Sequence, residues 1–225
     1  MKNKKNLIYA HNHFNFFDGI VLKKRMEIVK IIQYQINKFK IKDILDIGTT
    51  SDSKNKSSNI IIKNLKNLNS YKSISDQKIS MSLFKNKMTK SITGNFSKKE
   101  LNDFSSDLVI SNATIEHVGN LKKQKKMVAN IIKLSKKMFI IITPNRFYPI
   151  DFHTKIPLIH WLPKTMHRFI LKILGLNFYA KEKNLNLLSK YDFKKIIYQK
   201  NVAFKITDIK LFKLSSNLIV IGKKI

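Results

Sequence analysis

The chain has 225 residues, enough for one large domain around a single core, and lacks cysteine, which excludes disulfides, thiolate metal sites and a cysteine nucleophile. Its net charge is +30, yet only three of its 44 basic residues are arginines (Arg25, Arg146, Arg168), the side chain best suited to two-pronged contacts with phosphates and bases. A lysine-rich surface and an anionic partner both agree with that balance, but no long unbroken basic block occurs, so no specific nucleic acid is expected.

The N-terminus, MKNKKNLIYAHNHFNFF, has basic residues without a long apolar stretch or a small-residue cleavage site, and no run of roughly 18 apolar residues occurs anywhere. A cytoplasmic protein is the expectation. From Gly19 to Lys40 the apolar residues Val21, Leu22, Met26, Ile28, Val29, Ile32 and Ile36 recur at helical spacing. Ile44–Ile47 then reads as a short buried strand that ends in a turn at Gly48. Asp46 is the only charge inside that strand. Beside a glycine turn at a strand's carboxyl end, such a carboxylate suits an ammonium or a ribose hydroxyl, or it caps the following helix. Beyond the polar run to Ser58, the spacing predicts a short helix over 59–68, a strand over Tyr71–Ser75 ending at Asp76, and a strand over Ser91–Thr93 ending at Gly94-Asn95. Asp107–Ser111 and Met138–Ile142 read as buried strands on either side of a helix over 121–136, the second stopped by Thr143-Pro144. Strands alternating with helices predict an α/β domain with a mostly parallel sheet and right-handed crossovers.

The stretch 145–183 breaks that alternation with Pro149, Pro157, Pro163 and the single tryptophan, Trp161. Within it, 164–174 is a basic amphipathic helix with Met166, Phe169, Ile170, Ile173 and Leu174 on one side, and Gly175 is placed to end it. That side is expected to pack on the sheet as a lid, or alternatively to lie in a membrane surface. The tail predicts a helix over 189–198 and strands over 204–214 and 218–221, joined at Ser215–Asn217 as an antiparallel hairpin at the sheet edge.

Three segments, DILDIGTTSD, SSDLVISNATIEHVGN and FIIITPNRFYPIDFHTKIPLIHWLP, resemble class I S-adenosylmethionine-dependent methyltransferases of the type 11-like kind. The third is similar to a subgroup with a TPNR-aromatic-x-P-x-x-FH-T segment, as are LNFYAKEKNLNLLSKYDF and SSNLIVIGKK. The resemblance implies a Rossmann-like, doubly wound, seven-stranded sheet with a C-terminal antiparallel hairpin, and S-adenosyl-L-methionine as methyl donor. It implies that Asp46, Gly48 and Thr49 border the methionine end of the donor, that Asp76 accepts from the ribose hydroxyls, that Asn95 reads the adenine amine, and that Asn112 faces the transferred methyl. Thr49, Thr50 and Ser51 stand where the common form of the first motif has two further glycines, so hydroxyls would join the backbone there. Asp107 is a family hallmark with a structural role, and Glu116-His117 stands where relatives have an E-H pair, with His117 expected as a packed, hydrogen-bonded histidine.

The expected whole is a single domain over 1–225, with an N-terminal helical segment at 1–40 and an insertion over 145–183 covering the acceptor. The acceptor is expected to be a small molecule, a sugar or a lipid, met by Asn145, Arg146, Tyr148, Asp151 and Trp161. His153 is the candidate general base, oriented by Asp151, unless His153 and Trp161 merely pin the insertion to the sheet. Two other readings stay open: a non-catalytic scaffold with this fold, and a basic nucleic-acid-binding module. His11-Asn12-His13 lacks the context of a metal-nuclease triplet. His153, His160 and His167 recur every seven residues, but Pro157 and Pro163 keep them off one helix, and no metal is expected. A nicotinamide-binding domain would want G-x-G-x-x-G, which this turn lacks.

Overall fold

Strands that carry isoleucine and leucine at successive positions need cover on both faces, and that requirement sets the architecture. The computed structural model describes residues 15–51, 58–198 and 201–225, so His11, His13 and Asp52 lie outside the described residues. The strands are β1 (Asp43–Ile47), β2 (Ser70–Ser75), β3 (Asn86–Thr89), β4 (Ser106–Asn112), β5 (Ser135–Pro144), β6 (Val202–Leu211) and β7 (Leu214–Lys224). They form one seven-stranded sheet in the order β3-β2-β1-β4-β5-β7-β6. Pairings among β1 to β5 are parallel, whereas β7 runs antiparallel to β5 and to β6. The fold is a doubly wound, mostly parallel α/β sheet closed by an antiparallel hairpin.

The helices are α1 (Asn15–Lys38), α2 (Ile60–Asn64), α3 (Lys98–Phe104), α4 (Leu121–Leu134), α5 (Lys164–Ile173) and α6 (Lys190–Ile197). Alternation along the strands divides the core in two. Leu45, Ile47, Val109, Phe139 and Ile141 pack with Met127, Val128 and Ile131 of α4 and Phe193 and Ile196 of α6. Ile44, Leu108, Ile110, Ile140 and Ile142 pack with Ile28, Ile32 and Ile36 of α1 and Ile61 and Ile62 of α2. Each such buried side chain contributes about 1.5–3 kcal/mol relative to exposure.

Three local expectations change. The third strand is Asn86–Thr89, not Ser91–Thr93, because Asn130 of α4 holds the Ile92 and Gly94 carbonyls (2.6 and 2.9 Å) in a turn. Helix α3, absent from the sequence reading, starts at a reciprocal cap: Glu100 N–H donates to Ser97 Oγ (3.2 Å) and Ser97 N–H to Glu100 Oε2 (2.7 Å). The hairpin turns at Phe212-Lys213 (φ 50° and 65°), ahead of Ser215, which lies within β7.

Between β5 and α6 the chain makes one long excursion whose ends meet. Asn145 pairs with Leu188 as a parallel bridge, and the Arg146 N–H donates to the Leu188 carbonyl at 3.0 Å. Helix α5 lies in this excursion with His167 and Leu171 buried. Ile170 is half-buried, but the rest of the predicted apolar side points outward: Met166, Phe169, Ile173 and Leu174 are 52%, 64%, 68% and 52% exposed. Four of the five residues expected to pack on the sheet are therefore exposed instead. Gly175 (φ 72°) ends the helix, with Leu176 N–H reaching back to the Leu171 carbonyl at 2.8 Å.

Candidate functional site

β1 sits between β2 and β4, so connections leave it to opposite sides and a crevice opens beyond its carboxyl end, the usual ligand position in such sheets. Asp46 lies there, 7% exposed. Thr49 Oγ1 donates to Asp46 Oδ2 at 2.6 Å and, its proton spent, accepts from Ser73 Oγ at 2.7 Å. Burial pushes the Asp46 carboxyl up to about 6, and the Thr49 hydroxyl offsets only part of that. The result is a buried carboxylate at the crevice that no cation of the described residues accompanies in a hydrogen bond or ion pair.

Gly48 (φ 87°) serves the turn itself. A Cβ there would lie 2.1 Å from Thr114 Oγ1, so the space a side chain would need is filled by Thr114 rather than left for a ligand. The Gly48 N–H is also committed, to the Ile74 carbonyl at 2.9 Å. Asp76 is exposed at the end of β2, beside Gln77, whose Oε1 accepts from the Ser51 N–H (3.2 Å) and hydroxyl (2.7 Å). Asn112 is half-buried at the end of β4. Asn95 is exposed just beyond the 92–94 turn and not at a strand end.

A second group lies beyond β4 and β5. Ala113, in the left-handed region (φ 50°), turns the chain out of β4, and a 3₁₀ turn at Ile115–His117 follows. Thr114 ties this turn to the crevice by bonding the carbonyls of Ile47 (3.3 Å) and Asn112 (3.1 Å). Glu116 is fully buried. Its Oε2 accepts from the hydroxyl of Thr143, at the end of β5, at 3.0 Å, while its Oε1 has no hydrogen-bond partner.

The excursion brings His153 against this turn. His153 Nε2 and His117 Nε2 lie 3.1 Å apart, with Glu116 Oε1 at 3.8 and 3.9 Å from them respectively. The Asn184 carbonyl can only accept, so His117 Nδ1, 2.7 Å away, carries a proton, and its Nε2 presents a lone pair in the neutral ring. Asp151 and His153 do meet, at 3.1 Å through Nδ1. Burial alone would lower the His153 pKa, but the Asp151 bond and charge, together with Glu116, hold it above the ordinary histidine value. Burial and the neighbouring His153 push His117 down, with Glu116 opposing. Burial would raise the Asp151 carboxyl, yet bonds from His153 and Thr154 and the His153 charge hold it well below the carboxylate range. Two imidazoles whose pKa values are pushed in opposite directions thus lie within hydrogen-bond distance of each other, beside a carboxylate oxygen that has no hydrogen bond.

The remaining residues assigned to the acceptor divide. Arg146 spends its guanidinium on the carbonyls of His160 (3.0 Å) and Leu162 (2.6 Å), and Asn145 bonds Ser215 O (3.0 Å) and Phe147 N–H (3.1 Å). Both therefore help to hold the excursion in shape. Tyr148 is buried and stacks on Phe152 (centroids 5.2 Å apart), and Trp161, 44% exposed, donates to the Tyr148 carbonyl at 3.3 Å. Glu116, with Thr143 and Asn184, was not among the sequence candidates, although the E-H dipeptide just past β4 marked the place.

No protein-family model matches the chain, and no curated protein matches it by sequence. Solved structures do resemble it. Magnesium protoporphyrin IX methyltransferase from Synechocystis PCC 6803 with bound S-adenosylmethionine superposes with a TM-score of 0.54 at 10% identity, over 96% of this chain and 88% of that one. The small RNA methyltransferase HEN1 gives 0.57 at 13% identity, over 88% of this chain but 25% of that one. A chain described as a putative Zn-dependent alcohol dehydrogenase from Rhodobacter sphaeroides gives 0.52 at 9%, over 81% and 84%. What is shared at these identities is the fold.

Proposed function

We propose that the chain is an S-adenosylmethionine-dependent methyltransferase, with the donor along the carboxyl ends of β1, β2 and β4 and the acceptor beside His117 and His153. The observation that carries this reading is the placement of Asp46 at the crevice: a buried carboxylate raised to about 6 is the partner that a donor's α-ammonium or sulfonium charge would satisfy. The donor set fits. Asp76, exposed at the end of β2, can accept from two ribose hydroxyls, and Asn112, half-buried at the end of β4, would border the methyl. Gly48 enters as support for Thr114 rather than as a contact.

S-Adenosylmethionine supplies a methyl already activated on a sulfonium. The protein's part is to hold the acceptor in line, keep water out and manage the acceptor's proton. His117 and His153, the latter held by Asp151, are the side chains that would border the departing proton in this reading. The acceptor is a small molecule, a sugar or a lipid-like compound, bordered by Trp161 and the excursion over 145–183. Calorimetry with S-adenosylhomocysteine tests the reading. Binding between about micromolar and millimolar, weakened by Asp76→Ala, is expected. A folded chain that shows no binding would be a scaffold on this fold instead.

A further inference from the structure

We propose that Glu116, His117 and His153 form a binding site for one divalent transition-metal ion, whose open positions take an oxygen of the acceptor. Two imidazole nitrogens and a carboxylate oxygen are a ligand set common to zinc, manganese, cobalt and ferrous sites. The three atoms, His117 Nε2, His153 Nε2 and Glu116 Oε1, are separated by 3.1, 3.8 and 3.9 Å, so the point equidistant from them lies about 2 Å from each. That is the length of a metal–nitrogen or metal–carboxylate bond, about 2.0–2.2 Å.

A hydrogen bond between the histidines accounts for two of these atoms only. Glu116 Oε1 remains without a hydrogen bond on a side chain that is 0% exposed, a costly state for a carboxylate oxygen. A cation at the shared point satisfies all three. Each ligand is also held from behind: His153 Nδ1 by Asp151 at 3.1 Å, His117 Nδ1 by the Asn184 carbonyl at 2.7 Å, and Glu116 Oε2 by Thr143 at 3.0 Å. Outer bonds of this kind aim metal ligands and raise the basicity of metal-bound histidine. The side chains of His117 and His153 keep 16% and 10% exposure, so solvent or an acceptor reaches the site from their side while Glu116 forms its floor.

The site itself stands on this geometry; its chemical role rests on the methyl-transfer reading. An acceptor hydroxyl bound to the ion loses its proton more readily. Its oxygen then takes the methyl as the carbon–sulfur bond breaks, with the electron pair returning to sulfur. The products are a methyl ether, S-adenosylhomocysteine and one proton released to solvent.

The test uses untagged, chelator-stripped full-length chain titrated separately with Co²⁺, Mn²⁺ and Zn²⁺, with bound metal counted by elemental analysis and the Co²⁺ absorption spectrum recorded. One ion per chain is expected. Glu116→Gln, which retains an acceptor for Thr143, and His153→Ala should each weaken affinity about a hundredfold, and Asp151→Asn about tenfold, with thermal melts showing which variants stay folded. Wild-type chain that takes up none of the three ions more tightly than a folded His117→Ala/His153→Ala variant overturns the proposal. Metal uptake without S-adenosylhomocysteine binding would uphold the site and remove its catalytic role, whereas S-adenosylhomocysteine binding without metal uptake would remove the site alone.

Discussion

Asp107, near the start of β4, accepts the backbone N–H of Lys42, just ahead of β1, at 3.0 Å. The same oxygen accepts from Lys137 Nζ of β5, also at 3.0 Å, so one carboxylate joins three adjacent strands at the end opposite the crevice. Burial works to raise this carboxyl, but the Lys42 and Lys137 bonds and the lysine charges reverse that and hold it below the ordinary value. The stabilisation is therefore present above the unfolded carboxylate range near pH 4 and fades as pH falls through the lower folded value. Asp107→Ala should cost about 1–2 kcal/mol at neutral pH by denaturant titration, with ligand binding little changed. A loss of binding at unchanged stability would contradict this structural role.

Asp46 should behave in the opposite sense. Its carboxyl is raised from 3.8 to about 6, so it favours the folded state below pH 4 and that contribution is lost as pH rises through 6. Asp46→Asn is expected to stabilise the unliganded chain at pH 8, by up to about 3 kcal/mol, while weakening S-adenosylhomocysteine binding. Denaturant titrations of both chains at pH 4 and pH 8 measure the difference. Equal pH slopes for the two would sink the assignment.

The outward side of α5 separates two uses of the excursion. Because Phe169 and Ile173 are 64% and 68% exposed, replacing both with Ser should change stability by only about 0.5 kcal/mol each or less. Leu171→Ala, at a fully buried position of the same helix, should cost about 2–5 kcal/mol. With a net charge of +30 behind this apolar stripe, sedimentation with anionic vesicles is expected, and the double Ser variant should be released. Wild-type chain that stays in solution at physiological salt rules out the membrane contact.

The β6–β7 turn offers a gain. Phe212 and Lys213 both hold positive φ (50° and 65°), the pattern of a tight hairpin turn that Asn-Gly adopts with less strain. Replacing the pair with Asn-Gly should raise stability by about 1 kcal/mol or more, read as a higher denaturation midpoint.

Those two residues also show where sequence reading fails. Ser215-Ser216-Asn217 looked like turn chemistry, but Ser216 is buried in β7 and donates to the Ile209 carbonyl at 3.0 Å, and pairing with β6 overrides its local preference. β4 and β5 were legible because both faces are covered and their apolar runs are continuous. β3 was not, since an edge strand reading Asn-Lys-Met-Thr carries no burial pattern. Helix α3 was readable in principle from Ser97 and Glu100, three apart.

At the site, Asp46 was legible as a charge inside a buried strand next to its closing glycine, and Asp151 and His153 as residue types placed after a strand. The partners that define their chemistry were not. Arg146 looked like an acceptor ligand, but its partners are backbone carbonyls, which every residue possesses and no sequence marks. The approach of His153 to Glu116 and His117 depends on how the excursion folds back, which spacing does not encode.

The bridge between Asn145 and Leu188 has a consequence for how such a protein can change. A segment that departs and returns at one point transmits little of its length to the frame that carries it. Lengthening a closed loop costs entropy only slowly, about 0.6 kcal/mol per doubling, so insertions between these two residues are tolerated if the bridge is kept. The excursion is thus interchangeable in a way the strands are not: if it borders the acceptor as proposed, a graft taken from Asn145 to Leu188 should carry its own selectivity into a related sheet.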